Sequence, residues 1–151
     1  MKQPRNQAEM EWVLRDEEHR YERDCPDSFL CQWERRMVTC DFAEKTCEFA
    51  FQTTPLLGNP NNVVHGGMTA CMLDNVMGVL VRCYSKDGHI SPTIDLSVSY
   101  LVPISIGVEA RVRARIIRVG RSLAFCEAEV FEAERPERIA AVAKATFSVM
   151  L

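Results

Sequence analysis

The chain has 151 residues, of which 47% are hydrophobic and 26% charged, with a formal net charge of -3. That length and apolar share suffice for one globular domain with a sizeable core and exclude a disordered chain. The slight acidity excludes a general attraction for nucleic acid or an anionic membrane, so any polyanionic ligand must be met by a local basic cluster.

Residues 6–24 are rich in Glu, Arg and Gln, and Met10, Val13, Leu14 and Tyr21 give only a thin apolar stripe, which predicts a surface helix at most. Pro26 ends it, and Asp27 or Ser28 is placed to cap a short turn or helix holding Phe29, Leu30 and Trp33. Residues 1–35 therefore read as an N-terminal helical accessory segment, with the main domain in 36–151. The opening residues lack the apolar h-region of a signal peptide, and no run approaches the roughly 20 apolar residues that cross a bilayer. Seven cysteines, Cys25, Cys31, Cys40, Cys47, Cys71, Cys83 and Cys126, form no CxxC pair and no metal-ligand spacing with histidine. A cytoplasmic protein with reduced thiols, no metal centre, no nucleic-acid partner and no membrane association is expected.

From Met37 the pattern changes to period two. MVTCDFA and TCEFAFQTT flank Glu44 and Lys45 at a turn, which predicts a hairpin. PLLGNPNN is a loop. Gly66 to about Tyr84 is the one strong helix, with Met68, Cys71, Met72, Val76, Val79, Leu80 and Cys83 recurring at spacings of three and four. Apolar residues on most sides predict that it is largely buried. KDGH breaks it, and His89, like His19, reads as solvent-exposed. TIDLSVSYLVP then puts Ile94, Leu96, Val98 and Tyr100 on one face and Thr93, Asp95, Ser97 and Ser99 on the other. VEARVRARIIRV alternates likewise, Gly120 and Arg121 make a turn before SLAFCEAEVFEA, and RPER leads into IAAVAKATFSVML. Two strands, one buried helix and three or four further antiparallel strands define an α+β fold. A single helix can cover such a sheet only by lying across its concave face, so the sheet must curve around it.

The chemistry gathers in NPNNVVHGGMTACMLD, residues 59–74. A helix N-terminus offers unpaired N–H groups and partial positive charge, and glycine lets a substrate atom approach them. The amide of Gly66, aided by Gly67, is thus a candidate oxyanion donor, and His65 is placed to orient the same carbonyl. Asp74 lies eight residues on, about 12 Å along the axis, too far to act on the same carbonyl within one helix. If the two share a reaction centre, Asp74 comes from a second, antiparallel copy of the helix, which predicts a homodimer with two equivalent interfacial sites. Packing alternatives exist for each residue: Asn59 is also an ordinary turn residue beside Pro60, and Thr93 an ordinary strand threonine.

The run N-x5-HGG-x2-A-x3-D-x3-G, formed by Asn59, His65, Gly66, Gly67, Ala70, Asp74 and Gly78, resembles the signature of hotdog-fold acyl-CoA thioesterases of the phenylacetic-acid-degradation type. The similarity extends over about residues 37–150. It implies a hotdog domain, with a curved antiparallel sheet of five to six strands wrapped around one long central helix. It also implies hydrolysis of an acyl- or aryl-CoA to free acid and CoA, with no cofactor because coenzyme A is part of the substrate. By the same resemblance, Asp74 is the general base or nucleophile, Gly66 the backbone donor to the thioester oxygen, Asn59 a side-chain amide holding water or carbonyl, and Thr93 the hydroxyl that positions water. Gly67 and Met68 fall to substrate binding, with Met72, Leu56 and Leu57 near the acyl tunnel. The basic cluster of Arg111, Arg113, Arg115, Arg118 and Arg121 is either a solvated strand face or the seat of the CoA phosphates. In similar proteins the turn of Arg118, Gly120 and Arg121 lies near the nucleotide. The expected assembly is a homodimer with shared sites, paired into a homotetramer. A hotdog dehydratase would carry a paired His and Asp in a different motif, absent from this sequence; a non-catalytic acyl-CoA-binding or regulatory protein using the same cleft is the alternative function.

Overall fold

The computed structural model of the chain describes residues 3–85 and 91–149. Its elements are helices α1 (Gln7–Glu18), α2 (Arg20–Asp24) and α3 (Gly66–Cys83), and strands β1 (Arg36–Asp41), β2 (Thr46–Gln52), β3 (Thr93–Tyr100), β4 (Glu109–Val119), β5 (Leu123–Glu132) and β6 (Ile139–Ser148). The six strands form one antiparallel sheet in the order β1-β2-β4-β5-β6-β3, with α3 packed against it. The expected α+β layout is therefore present, with six strands. The KDGH breaker, residues 86–89, lies outside the described residues.

One face of the sheet is buried by alternation along β4 and most of β5, while β2 is buried on both faces from Cys47 to Phe51. Along β4, Ala110, Val112, Ala114 and Ile116 point inward, while Arg113 and Arg115 are exposed. On β6 the inward positions Ala141, Ala143 and Ala145 are small, which lets the helix come close, and Phe147 fills the end. Helix α3 contributes Met72, Leu73, Val76, Met77 and Leu80, all without accessible surface. Burying aliphatic side chains of this size stabilises the fold by about 1.5–3 kcal/mol each.

The N-terminal segment is more than the expected surface helix. Asn6 caps α1 by accepting from the Glu9 N–H, and Met10, Val13 and Leu14 are buried against β1 and α3. Ser28 caps the following 3-10 turn, Phe29–Trp33, through the Leu30 N–H, and Trp33 packs edge-on against Phe51 of β2. A narrow stripe is enough because α1 covers only the edge of the sheet, protecting β1 from edge pairing. No helix among the described residues is long and apolar enough to cross a membrane.

The β3–β4 connection braces the start of α3. The Val64 N–H donates to Ile104 O at 2.9 Å, and the Ser105 N–H donates to Glu132 Oε1 at 2.8 Å. That backbone donor, with the charges of Arg135 and Arg138, holds the buried Glu132 carboxyl below the usual glutamate range. A depressed carboxyl adds stability that is present above its ordinary pKa and lost as pH falls through the lowered value. Glu132→Ala is expected to lower the unfolding free energy by about 1–3 kcal/mol. Urea denaturation checks this, and the gap to wild type should close as pH drops below the carboxylate range.

Candidate functional site

Helix α3 begins at Gly66 because His65 caps it. His65 has an extended backbone, and its Nδ1 accepts the Gly67 N–H at 3.0 Å, which leaves the ring proton on Nε2. The carbonyl of His65 receives Met68 and Thr69. The amide of Gly67 is thus occupied by the cap, while the Gly66 N–H meets no acceptor among the described residues. Of the two glycines, Gly66 is the one whose N–H remains without a partner among the described residues. His65 Nδ1 is spent on the helix cap, and the Nε2–H of its exposed ring remains to donate.

Asp74 sits half-buried midway along α3. Thr93 Oγ1 donates to Asp74 Oδ1 at 2.7 Å, so the two residues singled out in separate parts of the sequence meet. Simple alternation had placed Thr93 on the face opposite Leu96, Val98 and Tyr100. A β-bulge overrides it: Thr93 pairs with Phe147 and Asp95 with Thr146, leaving Ile94 as the extra residue. The bulge turns Thr93 toward the helix, the re-aiming such irregularities produce beside functional sites.

Tyr100, at the other end of β3, was read only as part of an apolar face. Its hydroxyl donates to Gly66 O at 2.8 Å, and its ring lies 3.5 Å from where a Gly66 Cβ would stand. Tyr100 thereby fixes the helix end against the edge strand. The sequence did carry a signal for this, because Tyr100 shares its alternation with Leu96 and Val98.

Asn59 is a turn residue in the first instance: its Oδ1 accepts the Asn61 N–H at 2.9 Å, and its backbone closes the turn with Val63 and Asn62. Its amide NH2 meets no partner among the described residues and remains to donate. Met68 is half-buried against the core and lines neither the cavity at Gly66 nor the one at Asp74. Met72 and Leu57, expected at an acyl tunnel, are core residues, whereas Leu56 is exposed.

The basic cluster divides in two. Arg111 bridges Glu109 and Glu48, Arg113 bridges Glu48 and Glu129, and Arg115 bridges Glu127, a charge ladder across the outer face of the sheet. Arg118 and Arg121 form no ion pair among the described residues and stand exposed at the β4–β5 turn, where the Gly120 N–H closes on Leu123 O at 2.7 Å.

Two cavities mark the site. One of about 310 Å³ opens beside Gly66 and Tyr100; the other, of about 250 Å³, runs from Asp74 and Thr93 over Gly78 to Arg82. The Gly66 N–H, which meets no acceptor among the described residues, and the Asp74 carboxylate oriented by Thr93 are the polar groups placed at these two cavities.

A helix crossing a six-stranded antiparallel sheet, with His-Gly-Gly at its mouth and an oriented aspartate at its centre, is a hotdog arrangement. The chain belongs to the thioesterase superfamily, whose family model matches residues 61–139, just over half of its length. Mouse acyl-coenzyme A thioesterase 13 is 29% identical over 72 residues, which cover 48% of this chain and 51% of the relative. The chain spans about half the length of the curated relatives it matches. Among solved structures, a phenylacetic acid degradation-related protein from Ralstonia eutropha superposes with a TM-score of 0.73 and 29% identity over 86% of this chain and 97% of its own. A Streptococcus mutans protein bound to acetyl CoA superposes with a TM-score of 0.67 at 18% identity, covering 77% of this chain and 88% of its own.

Proposed function

We propose that the chain is an acyl-CoA thioesterase, hydrolysing the thioester of an acyl- or aryl-CoA to free acid and CoA. The observation that carries this reading is the Thr93–Asp74 hydrogen bond at the middle of α3: Thr93 engages Oδ1 and leaves Oδ2 to take a proton from water or to attack the thioester itself. In the first course, hydroxide adds to the carbonyl carbon and the oxyanion is received by the Gly66 N–H. The C–S bond then breaks, and the CoA sulfur leaves with its electron pair and takes up a proton. A thioester carbonyl gains little resonance from sulfur, so a carboxylate base and one well-aimed N–H are sufficient.

Gly66 and Asp74 are about 12 Å apart along one helix, so the reaction centre takes Gly66 from one protomer and Asp74 with Thr93 from its partner. The exposed edge strand β3, with Ile94 and Tyr100 more than half accessible, supports such a pairing. Arg118 and Arg121 are the cations available for the CoA phosphates, and the Asn59 amide is available to the carbonyl or the water. The seven unpaired thiols fit a reducing compartment, the cytosol. A thiol-release assay over short, medium, long and aryl acyl-CoAs tests the reading. Release from at least one class is expected, whereas binding of these esters without release from any would favour the non-catalytic alternative.

A further inference from the structure

Along the chain from Val64 to Thr69, Gly66 alone keeps its N–H without a partner among the described residues. Val64 donates to Ile104 O, His65 to Leu57 O, Gly67 to the His65 ring, and Met68 and Thr69 to His65 O. The free donor therefore sits in a frame of bonded ones. Its own residue and the next are glycines, however, which lose more backbone freedom in a helix than any other residue and have no side chain to brace the turn.

The brace comes from Tyr100. Its hydroxyl donates to Gly66 O at 2.8 Å, and its ring lies 3.5 Å from where a Gly66 Cβ would stand. At the other end of the same peptide unit, the Gly67 N–H donates to His65 Nδ1 at 3.0 Å. The Gly66–Gly67 peptide is thus held at both of its polar atoms by side chains from outside the helix. The two bonds reinforce each other, because each polarises the peptide in the same sense. Tyr100 is itself anchored: it pairs with Ala141 of β6, and the N–H groups of Leu101 and Val102 both donate to Ala140 O.

We infer that Tyr100 is a positioning residue for hydrolysis, holding the first turn of α3 so that the Gly66 N–H stays aimed at the oxyanion. Its proton is spent on Gly66 O, so it acts through the glycine and not on the substrate. A donor held in place need not reorganise as charge develops on the carbonyl oxygen, whereas one on a fraying turn must be ordered again at each turnover. The glycines open the helix end to a substrate oxygen, and the tyrosine restores the order they give up. The inference rests on the acyl-CoA reading, because it takes Gly66 as the oxyanion donor.

Tyr100→Phe removes the hydroxyl and keeps the ring. In steady-state thiol-release assays kcat is expected to fall about 3- to 10-fold, the worth of one neutral hydrogen bond, with KM within about twofold of wild type. The loss should vanish when Tyr100→Phe is made in Gly66→Pro, which has no N–H to aim, as expected of two changes that act through one group. Proton-exchange NMR of the substrate-free chain should show the Gly67 amide exchanging faster in Tyr100→Phe by a similar factor. An unchanged kcat, an equal fall in the Gly66→Pro background, or an unchanged Gly67 exchange rate overturns the inference. Exchange needs no substrate, so absence of thiol release from wild type would count against the proposed activity while Gly67 still judges the brace.

Discussion

Asp74→Asn is expected to lower thiol release by about 10²–10⁴-fold, the contribution of a positioned general base, while leaving acyl-CoA binding within a small factor of wild type. The substitution is nearly isosteric, and its amide oxygen still accepts the Thr93 hydroxyl that the aspartate accepts at 2.7 Å, so neither the strand nor the helix has cause to move. What disappears is the basic oxygen on the other side. Steady-state assays with free-thiol detection, paired with equilibrium binding, separate the two functions. Equal turnover in variant and wild type would remove Asp74 from the chemistry, and binding without turnover in both would make the chain a carrier or sensor of acyl-CoA.

The parts of the fold written in local patterns were legible in the sequence. The spacing of Met68, Met72, Val76, Val79, Leu80 and Cys83 marks α3 to within a residue of its observed end at Cys83, and the turn at Glu44–Lys45 separates two period-two runs that do pair as β1 and β2. The site was legible only as a list. Thr93 was found by resemblance and its direction was misread, because a bulge is a property of register between two strands, and nothing in TIDLSVSY alone says that Ile94 will be left over. The N-terminal segment was undervalued for a related reason. Its stripe is thin, yet Arg35 reaches Asn75 forty residues away and Tyr21 meets the same side chain from fifty-four, contacts that no local period encodes. His65 shows the opposite limit: the motif marks its position, but nothing in it says that Nδ1 will accept the Gly67 N–H and cap the helix.

Gly66→Pro is expected to lower kcat by about 10²–10³-fold with little loss of stability, because it deletes one N–H and almost nothing else. Gly66 is the first residue of α3, where proline is favoured and where the N–H takes no part in the helix ladder. His65 before it already holds φ -61 and ψ 137, the extended conformation that a following proline requires. A Cβ at Gly66 would meet the Tyr100 ring at 3.5 Å, an ordinary contact. The variant also tests the sharing of sites. In a mixed dimer of one Asp74→Asn chain and one Gly66→Pro chain, one interfacial site combines the intact Gly66 of the first with the intact Asp74 of the second, and the other site has neither. Co-expression under two affinity tags and purification of the mixed species should recover about half the wild-type rate per dimer from two inactive parents. Were each site contained in one chain, both chains would remain defective and the mixture would stay as inactive as its parents, because a carboxylate and an amide about 12 Å apart on one rigid helix have no third way to meet at the same carbonyl.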